Sequence, residues 1–384
     1  MKNSTALSYA RIAGANDRIR LGLIGAGGRG TYVMTLFQQN PSVQVAAVCD
    51  VYGQRIDAAQ QKAPGAKGFT DHRKMLEMRE LDVVLIGTPD HWHAQTAIDS
   101  MEAGKDVYVE KPLMRLRAEG PRIVKAARVN ERICQVGLQQ RSGWPYIRAR
   151  DEFVKPGKLG KITLARTWWH GAPGRSASRP MTIEKPSNLD WARFLGPVGW
   201  HEWNPRMYFN FRAFLEFNGG IITDFFTHWV DAVHMMLGID NPVAVMAAGG
   251  IYLDTEYRTA PDNAHCLVEY PSEVTVTFGC ARMASPPEYG IELCGTEGRL
   301  FVNRNRIEFQ AAGKGSQPVG ERRKGDITLD HVNNLLDCCR TRKRPNGDVY
   351  FGHRSTQVSL LCVQAYVEKR LLHFDPVREE VLPL

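Results

Sequence analysis

The first patterned stretch is Ile19-Arg20-Leu21-Gly22-Leu23-Ile24, a short apolar run that ends in glycines. From Thr31 to Asn40, Tyr32, Val33, Leu36 and Phe37 recur at helical spacing, and Asn40-Pro41 stops the helix. Val43 to Cys49 is nearly all apolar and ends at Asp50, as a strand buried on both faces does. Leu81 to Ile86 is a second such run. Ala94 to Ala103 reads as a helix closed by Gly104. Asp106 to Val109 reads as a strand, Glu119 to Asn130 as a helix and Ile133 to Gly137 as a strand. Strand and helix alternate in this way for about 120 residues, which predicts a parallel sheet wrapped by helices. Right-handed crossovers place every strand's carboxyl end on one edge, where ligands bind.

Beyond about residue 145 the alternation stops. Ile162 to Trp169 reads as a strand, and 171–218 is irregular and rich in Pro, Gly and aromatic residues. Gly219-Gly220 opens a helix to about Leu237. Short β-like runs follow at 243–248, 265–269, 274–279, 291–293 and 300–302, and helices near 328–341 and 355–371 close the chain. The expected second part is α+β with a large, mostly antiparallel open sheet.

With 384 residues, 43% hydrophobic and 23% charged, the chain is globular, and disorder or a small disulfide scaffold is excluded. At roughly 150 residues per domain it holds two. The net charge of +8 favours anionic partners. The basic residues are scattered, however, and the run Arg340, Arg342, Lys343 and Arg344 has no aromatic interleaving, so no nucleic-acid partner is expected. The eight Cys form no C-x-x-C pair or zinc spacing and read as buried thiols. No apolar run reaches membrane-spanning length, and no membrane partner is expected. As written the chain reads as cytoplasmic. Were Lys2-Asn3-Ser4 the tail of a twin-arginine leader begun upstream, the location would be periplasmic.

Gly25-Ala26-Gly27-Gly28-Arg29-Gly30 fits G-x-G-x-x-G between a strand and a helix, 20 residues before Asp50. Gly25 permits the turn, Gly27 lets the backbone approach a pyrophosphate, and Gly30 lets helix and strand pack closely. Gly28 and Arg29 share the loop, and the helix N-terminus offers N–H groups and a positive dipole end to phosphate. Asp50 at the next strand end suits ribose hydroxyls and repels a 2′-phosphate, which favours NAD over NADP, although Arg55 nearby weakens that argument. Two further segments end parallel strands: Thr88-Pro89-Asp90-His91-Trp92-His93 and Glu110-Lys111-Pro112. Asp224 and His228 are four apart on a helix, so carboxylate and imidazole share a face. His228 alone, among Phe225, Phe226 and Trp229, reads as a core histidine. Asp231 lies on the same face and reads equally as structural. His91 and His93 fall in no Cys/His zinc spacing, and no metal is expected.

Taken together, the glycine fingerprint, the Thr-Pro-x-x-x-His segment ending at His93, Glu110-Lys111-Pro112, the Asp224…His228 pair after Gly219-Gly220, and Gly295-Thr296-Glu297-Gly298 resemble the glucose–fructose oxidoreductase, inositol dehydrogenase and rhizopine-catabolism (Gfo/Idh/MocA) family. The resemblance runs from about Arg18 to Pro376. It implies a Rossmann dinucleotide-binding domain at 18–144, after a poorly ordered or leader-remnant segment at 1–17. An α+β substrate and oligomerisation domain at 145–384 would follow, with room for the C-terminal helix to pack back on the first domain. It implies NAD-linked oxidation or reduction of a sugar or polyol hydroxyl, and a homodimer or homotetramer. Carried over, Lys111 bonds the reacting oxygen, His228 is the general acid/base, Asp224 positions substrate or imidazole, and Thr88, Pro89, His93, Glu110 and Lys111 itself lie with the cofactor. The chemistry itself needs such groups. An imidazole with a pKa near about 6.5 suits removal of a hydroxyl proton, and an ammonium stabilises alkoxide charge.

For the substrate, Trp168-Trp169-His170 and the stretch from Trp200 to Phe211 are unusually aromatic. Trp169 and Tyr208 suit a sugar ring's apolar face or, equally, a core, and Arg206 and Arg212 are further candidate contacts. Three functions follow: a sugar or cyclitol dehydrogenase; a redox-neutral NAD-dependent glycosidase; and a cofactor-binding sensor, against which the intact Lys111, Asp224 and His228 set argues.

Overall fold

The computed structural model describes residues 18–171, 183–282 and 288–383; the expected leader remnant at 1–17 lies outside them, as do residues 172–182 of the irregular stretch. Strands and helices alternate first: β1 (Ile19–Ile24), α1 (Gly28–Phe37), β2 (Val43–Cys49), α2 (Gly53–Lys62), β3 (Lys67–Phe69), α3 (His72–Leu76), β4 (Val83–Ile86), α4 (His93–Glu102), β5 (Asp106–Val109), α5 (Glu119–Val129) and β6 (Cys134–Val136). They build one parallel sheet in the order β3-β2-β1-β4-β5-β6. The order reverses between β1 and β4, and a doubly wound sheet opens its ligand crevice at that point. Every residue of β4 and β5 is buried, as unbroken apolar runs require. The α2-β3-α3 passage carries no comparable signal in the sequence. Helix α2 buries only Ile56 and Ala59, and β3 is three residues long with two exposed.

The chain continues through α6 (Trp144–Arg148), β7 (Ile162–His170), α7 (Trp191–Leu195), α8 (Pro205–Phe209) and α9 (Thr227–Leu237). Next come β8 (Ala244–Gly250), β9 (Asn263–Glu269), β10 (Thr275–Ala281), β11 (Glu288–Gly295), β12 (Gly298–Val302), β13 (Arg306–Ala311) and β14 (Val319–Arg322). Helices α10 (Ile327–Thr341) and α11 (Val349–Glu368) precede β15 (Leu372–Asp375) and β16 (Glu380–Val381). The second sheet runs β14-β13-β12-β11-β7-β10-β9-β8-β15-β16. Its neighbours are antiparallel except β7 and β10. Strand β10 alternates buried and half-buried positions, so one face of the sheet is covered. The core on that face includes Val268, Val276, Phe278 and Leu293, with Phe226, Trp229, Val230 and Val233 packed on them.

The chain divides into two compact units, but not at the single boundary expected at residue 144. Of the described residues, 18–137, 183–211 and 328–353 form the first unit and the remainder form the second. The reason is apolar burial. Val332, Leu335, Leu336 and Cys339 of α10 belong to the same core as Leu21, Leu23, Val33, Phe37 and Leu85. The basic run beside them is tied down within this unit. Arg342 pairs with Asp106 (Nη2–Oδ1 3.0 Å), and Arg344 reaches Asp348 at 2.8 Å. Among the described residues, no helix is long and apolar enough to cross a membrane.

Candidate functional site

In the first unit the glycine loop leaves β1 in a turn that requires glycine at positions 25 and 30. Gly25 has φ +87°, and a Cβ there would lie 2.5 Å from the Thr88 nitrogen. A Cβ on Gly30 would stand 2.1 Å from the Gly25 carbonyl oxygen. Gly87, at the end of β4, would meet Gly30 Cα at 2.6 Å, so it completes the interlock although the fingerprint does not include it. At Gly28 nothing lies within 4 Å, which leaves the phosphate side of the loop open. Gly27 is the N-cap of α1 and no side chain caps that end, so its first N–H groups face the loop.

Asp50 is buried at the end of β2. Its Oδ2 accepts from the Ala26 N–H at 2.8 Å and its Oδ1 from the Tyr52 N–H at 3.0 Å. Burial pushes its pKa up, while Arg55 and the backbone donors pull it down. The carboxylate therefore braces the glycine turn and keeps lone pairs for a ribose. The Arg55 guanidinium stands over the Tyr208 ring, 4.7 Å from its centroid. A slot lined by Gly25, Gly27, Asp50, Arg55, Thr88 and Pro89 runs along these strand ends. The residues fit a dinucleotide: a glycine-rich cradle, an uncapped helix start and a strand-end carboxylate.

The Glu110-Lys111-Pro112 segment follows β5. Glu110 is buried and accepts from Arg29 Nε at 2.8 Å, which fastens α1 to this strand end. Burial lowers the pKa of Arg29, but the Glu110 charge and hydrogen bond, together with Tyr108 and Tyr32, raise the value overall. Both were expected with the cofactor, and here they pair with each other. His93 spans two loops, with Nδ1 2.6 Å from the Pro112 oxygen and Nε2 2.9 Å from the Thr88 oxygen. It holds the Thr88-Pro89 turn against the loop that carries Lys111. His91 is buried beside the Phe194 oxygen at 2.8 Å, and burial depresses its pKa to about 4. Arg206 and Tyr208, considered for the substrate, lie in this first unit. Tyr208 is buried against Tyr52, Arg55 and Phe194.

The second unit holds Trp169, Arg212, Asp224 and His228. The helix expected from Gly219-Gly220 does not run as a uniform α-helix. A π-helical turn, Ile222–Phe226, carries Asp224 and leads into α9, which carries His228. The extra residue in that turn changes the phase, so the simple i, i+4 relation does not describe the pair. Asp224 is half-buried, with Arg212 Nε 3.5 Å from its Oδ1, and His228 is buried. One turn on, Asp231 is fully buried and takes Arg141 Nε on both oxygens at 2.9 Å and Ser355 Oγ at 2.7 Å. Those partners make Asp231 a strut of α9. Trp169 stacks on Phe225 at 4.7 Å and on Tyr289 at 5.2 Å, inside an aromatic cluster.

Residues 19–138 match the oxidoreductase family with an NAD-binding Rossmann fold, and residues 198–301 match the GFO/IDH/MocA C-terminal domain. The chain belongs to the Gfo/Idh/MocA family. An α-N-acetylgalactosaminidase of Shewanella oneidensis is 34% identical over 134 residues, which is 33% of this chain and 29% of that protein. An inositol 2-dehydrogenase of Salmonella paratyphi B is 30% identical over 146 residues, 37% of this chain and 43% of that one. The chain thus matches less than half the length of these curated relatives. Among solved structures, a levoglucosan dehydrogenase in complex with NADH superposes with TM-score 0.75 at 16% identity, covering 92% of this chain and 98% of that one. The WlbA dehydrogenase of Bordetella pertussis, with NADH and UDP-GlcNAcA, gives 0.72 at 19%, covering 96% and 99%. Membership of the Gfo/Idh/MocA family makes NAD the cofactor of the cradle described above. Gly87 is a residue of the cradle that lies outside the glycine fingerprint. Its only sequence signal was a glycine at a strand end, and the contact that requires it lies 57 residues away at Gly30.

Proposed function

We propose that the chain is an NAD-dependent oxidoreductase acting on a hydroxyl-bearing carbon of a sugar, glycoside or cyclitol. The observation that carries this reading is one chain with an NAD cradle, a lysine at the β5 end, Asp224 in the π-turn and His228 at the start of α9. NAD, when bound, accepts and returns hydride. Lys111 donates to the reacting oxygen and stabilises the negative charge that develops there. His228 takes the hydroxyl proton, and Asp224, held by Arg212, orients the hydroxyl or the imidazole. Arg212 and Trp169 are the substrate-side groups of the second unit. Lys111→Ala and His228→Asn are expected to bind NADH as wild type does and to lower turnover by about 10²–10⁴-fold. Wild-type turnover in both variants would remove these roles.

The relative named α-N-acetylgalactosaminidase favours a second reading, a glycosidase that regenerates its NAD in every cycle. Free sugars and aryl glycosides, each supplied with NAD, separate the two. NADH accumulating with a free sugar identifies a dehydrogenase. Aglycone released in excess of NAD, without NADH accumulating, identifies the glycosidase. The reading also includes a homodimer or homotetramer, with the open face of the second sheet, bearing Arg166, Trp168, Met246 and Leu267, as the contact surface. Sedimentation velocity tests it, and a monomer at micromolar concentration would remove it.

A further inference from the structure

Residues 183–211 lie between β7 and α9, both elements of the second unit, yet they fold into the first. They attach in turn to the loops after β2, β3 and β4. Tyr52 and Leu189 form an antiparallel bridge, flanked by the Gly53 N–H donating to the Asn188 oxygen at 3.0 Å and the Asp190 N–H to the Val51 oxygen at 2.9 Å. Arg193 Nη1 donates to the Thr70 oxygen at 2.7 Å, and its Nη2 lies 3.4 Å from Asp71. Trp92 Nε1 donates to the Phe194 oxygen at 2.9 Å. At Gly196, φ is +48° and a Cβ would strike the Trp92 ring at 2.2 Å, so the segment lies directly on that indole. The stretch has its own core, in which Trp191 stacks on Phe194 at 5.2 Å and Phe194 packs on Tyr208 at 4.9 Å.

These three loops border the half of the crevice where Asp50 stands, and Arg193 and Phe194 line the same slot as Gly25, Gly27 and Asp50. We propose that residues 188–208 form a second wall of the adenosine site, a clasp that makes NAD a resident cofactor kept between turnovers. The proposal rests on the family's NAD assignment and not on which reaction follows. A loop-bordered crevice releases a dinucleotide by moving one flexible edge. Here, release requires parting backbone hydrogen bonds, a charge-assisted hydrogen bond and an aromatic contact from three strand ends together.

The test is the dissociation rate of NADH, read in stopped flow by its fluorescence on displacement with excess NAD. Two variants weaken the clasp from opposite sides. Arg193→Ala removes the Thr70 and Asp71 contacts, and Trp92→Phe removes one N–H donor while keeping a ring under Gly196. Wild type is expected to carry NAD through gel filtration. Arg193→Ala should release NADH about ten- to hundredfold faster, the worth of a charge-assisted hydrogen bond, and Trp92→Phe about tenfold faster or less. Unchanged melting temperatures would show that both variants remain folded. Release within twofold of wild type in both folded variants would overturn the clasp and leave the cofactor assignment standing. Absence of NADH binding to wild type would overturn both.

Discussion

Gly30→Ala tests the interlock that shapes the cofactor cradle. The added Cβ would sit 2.1 Å from the Gly25 carbonyl oxygen and 3.3 Å from the Gly25 carbonyl carbon and from Leu23 Cδ1. Ordinary C···O contact begins near about 3.3 Å, so the backbone of the loop or of α1 must shift by roughly 1 Å. No flexible side chain can yield instead, because the obstructing atom is main chain. Gly87 packs on the same turn, where a Cβ would lie 2.6 Å from Gly30 Cα and 3.2 Å from the Gly25 oxygen. Overpacking of this kind costs about 1–3 kcal/mol in stability. A displacement near 1 Å at a site that positions a ligand is worth about 100-fold, or about 2.7 kcal/mol, in cofactor affinity. The assay is NADH titration by fluorescence beside a thermal melt. Gly28→Ala is the stability control, since a Cβ there meets nothing and alanine is the better helix former. Gly30→Ala binding NADH within threefold of wild type would refute the reasoning.

Two further outcomes concern stability. His91 and His234 are buried, with pKa values held down to about 4 and about 3 by that burial; Arg141 and Arg354 add repulsion at His234. The unfolded chain then takes up protons first, so stability is full above about pH 6.5 and falls as pH drops toward 4. The slope is on the order of 1.4 kcal/mol per pH unit for each histidine, and urea midpoints across that window measure it. A midpoint that does not move between pH 7 and about pH 4.5 would refute it. Asp231→Asn leaves Arg141 buried without a countercharge and should cost about 3–5 kcal/mol, seen as a lowered denaturant midpoint. A variant as stable as wild type would mean the pair contributes nothing net.

The sequence by itself determined what local spacing controls. Buried parallel strands appear as unbroken apolar runs, so β1, β2, β4 and β5 were legible, with the glycine loop and Asp50 at their ends. Motif spacing marked Lys111, Asp224 and His228 and, through the resemblance, the family. The tertiary structure alone decided which of these groups meet. Arg29 and Glu110 are 81 residues apart and became one ion pair; Arg141 and Asp231 are 90 apart and became another. Tyr208 suited a sugar face or a core equally, because composition reports ring type, not neighbours; it is buried and packs against Arg55. The helix after Gly219-Gly220 had the right periodicity, yet a π-turn shifted its phase, which a fixed i, i+4 count cannot detect. The return of 183–211 and α10 to the first unit had no local signature. Those segments are placed by the apolar surface and backbone groups waiting on distant strand ends, and such pairings carry no period along the chain.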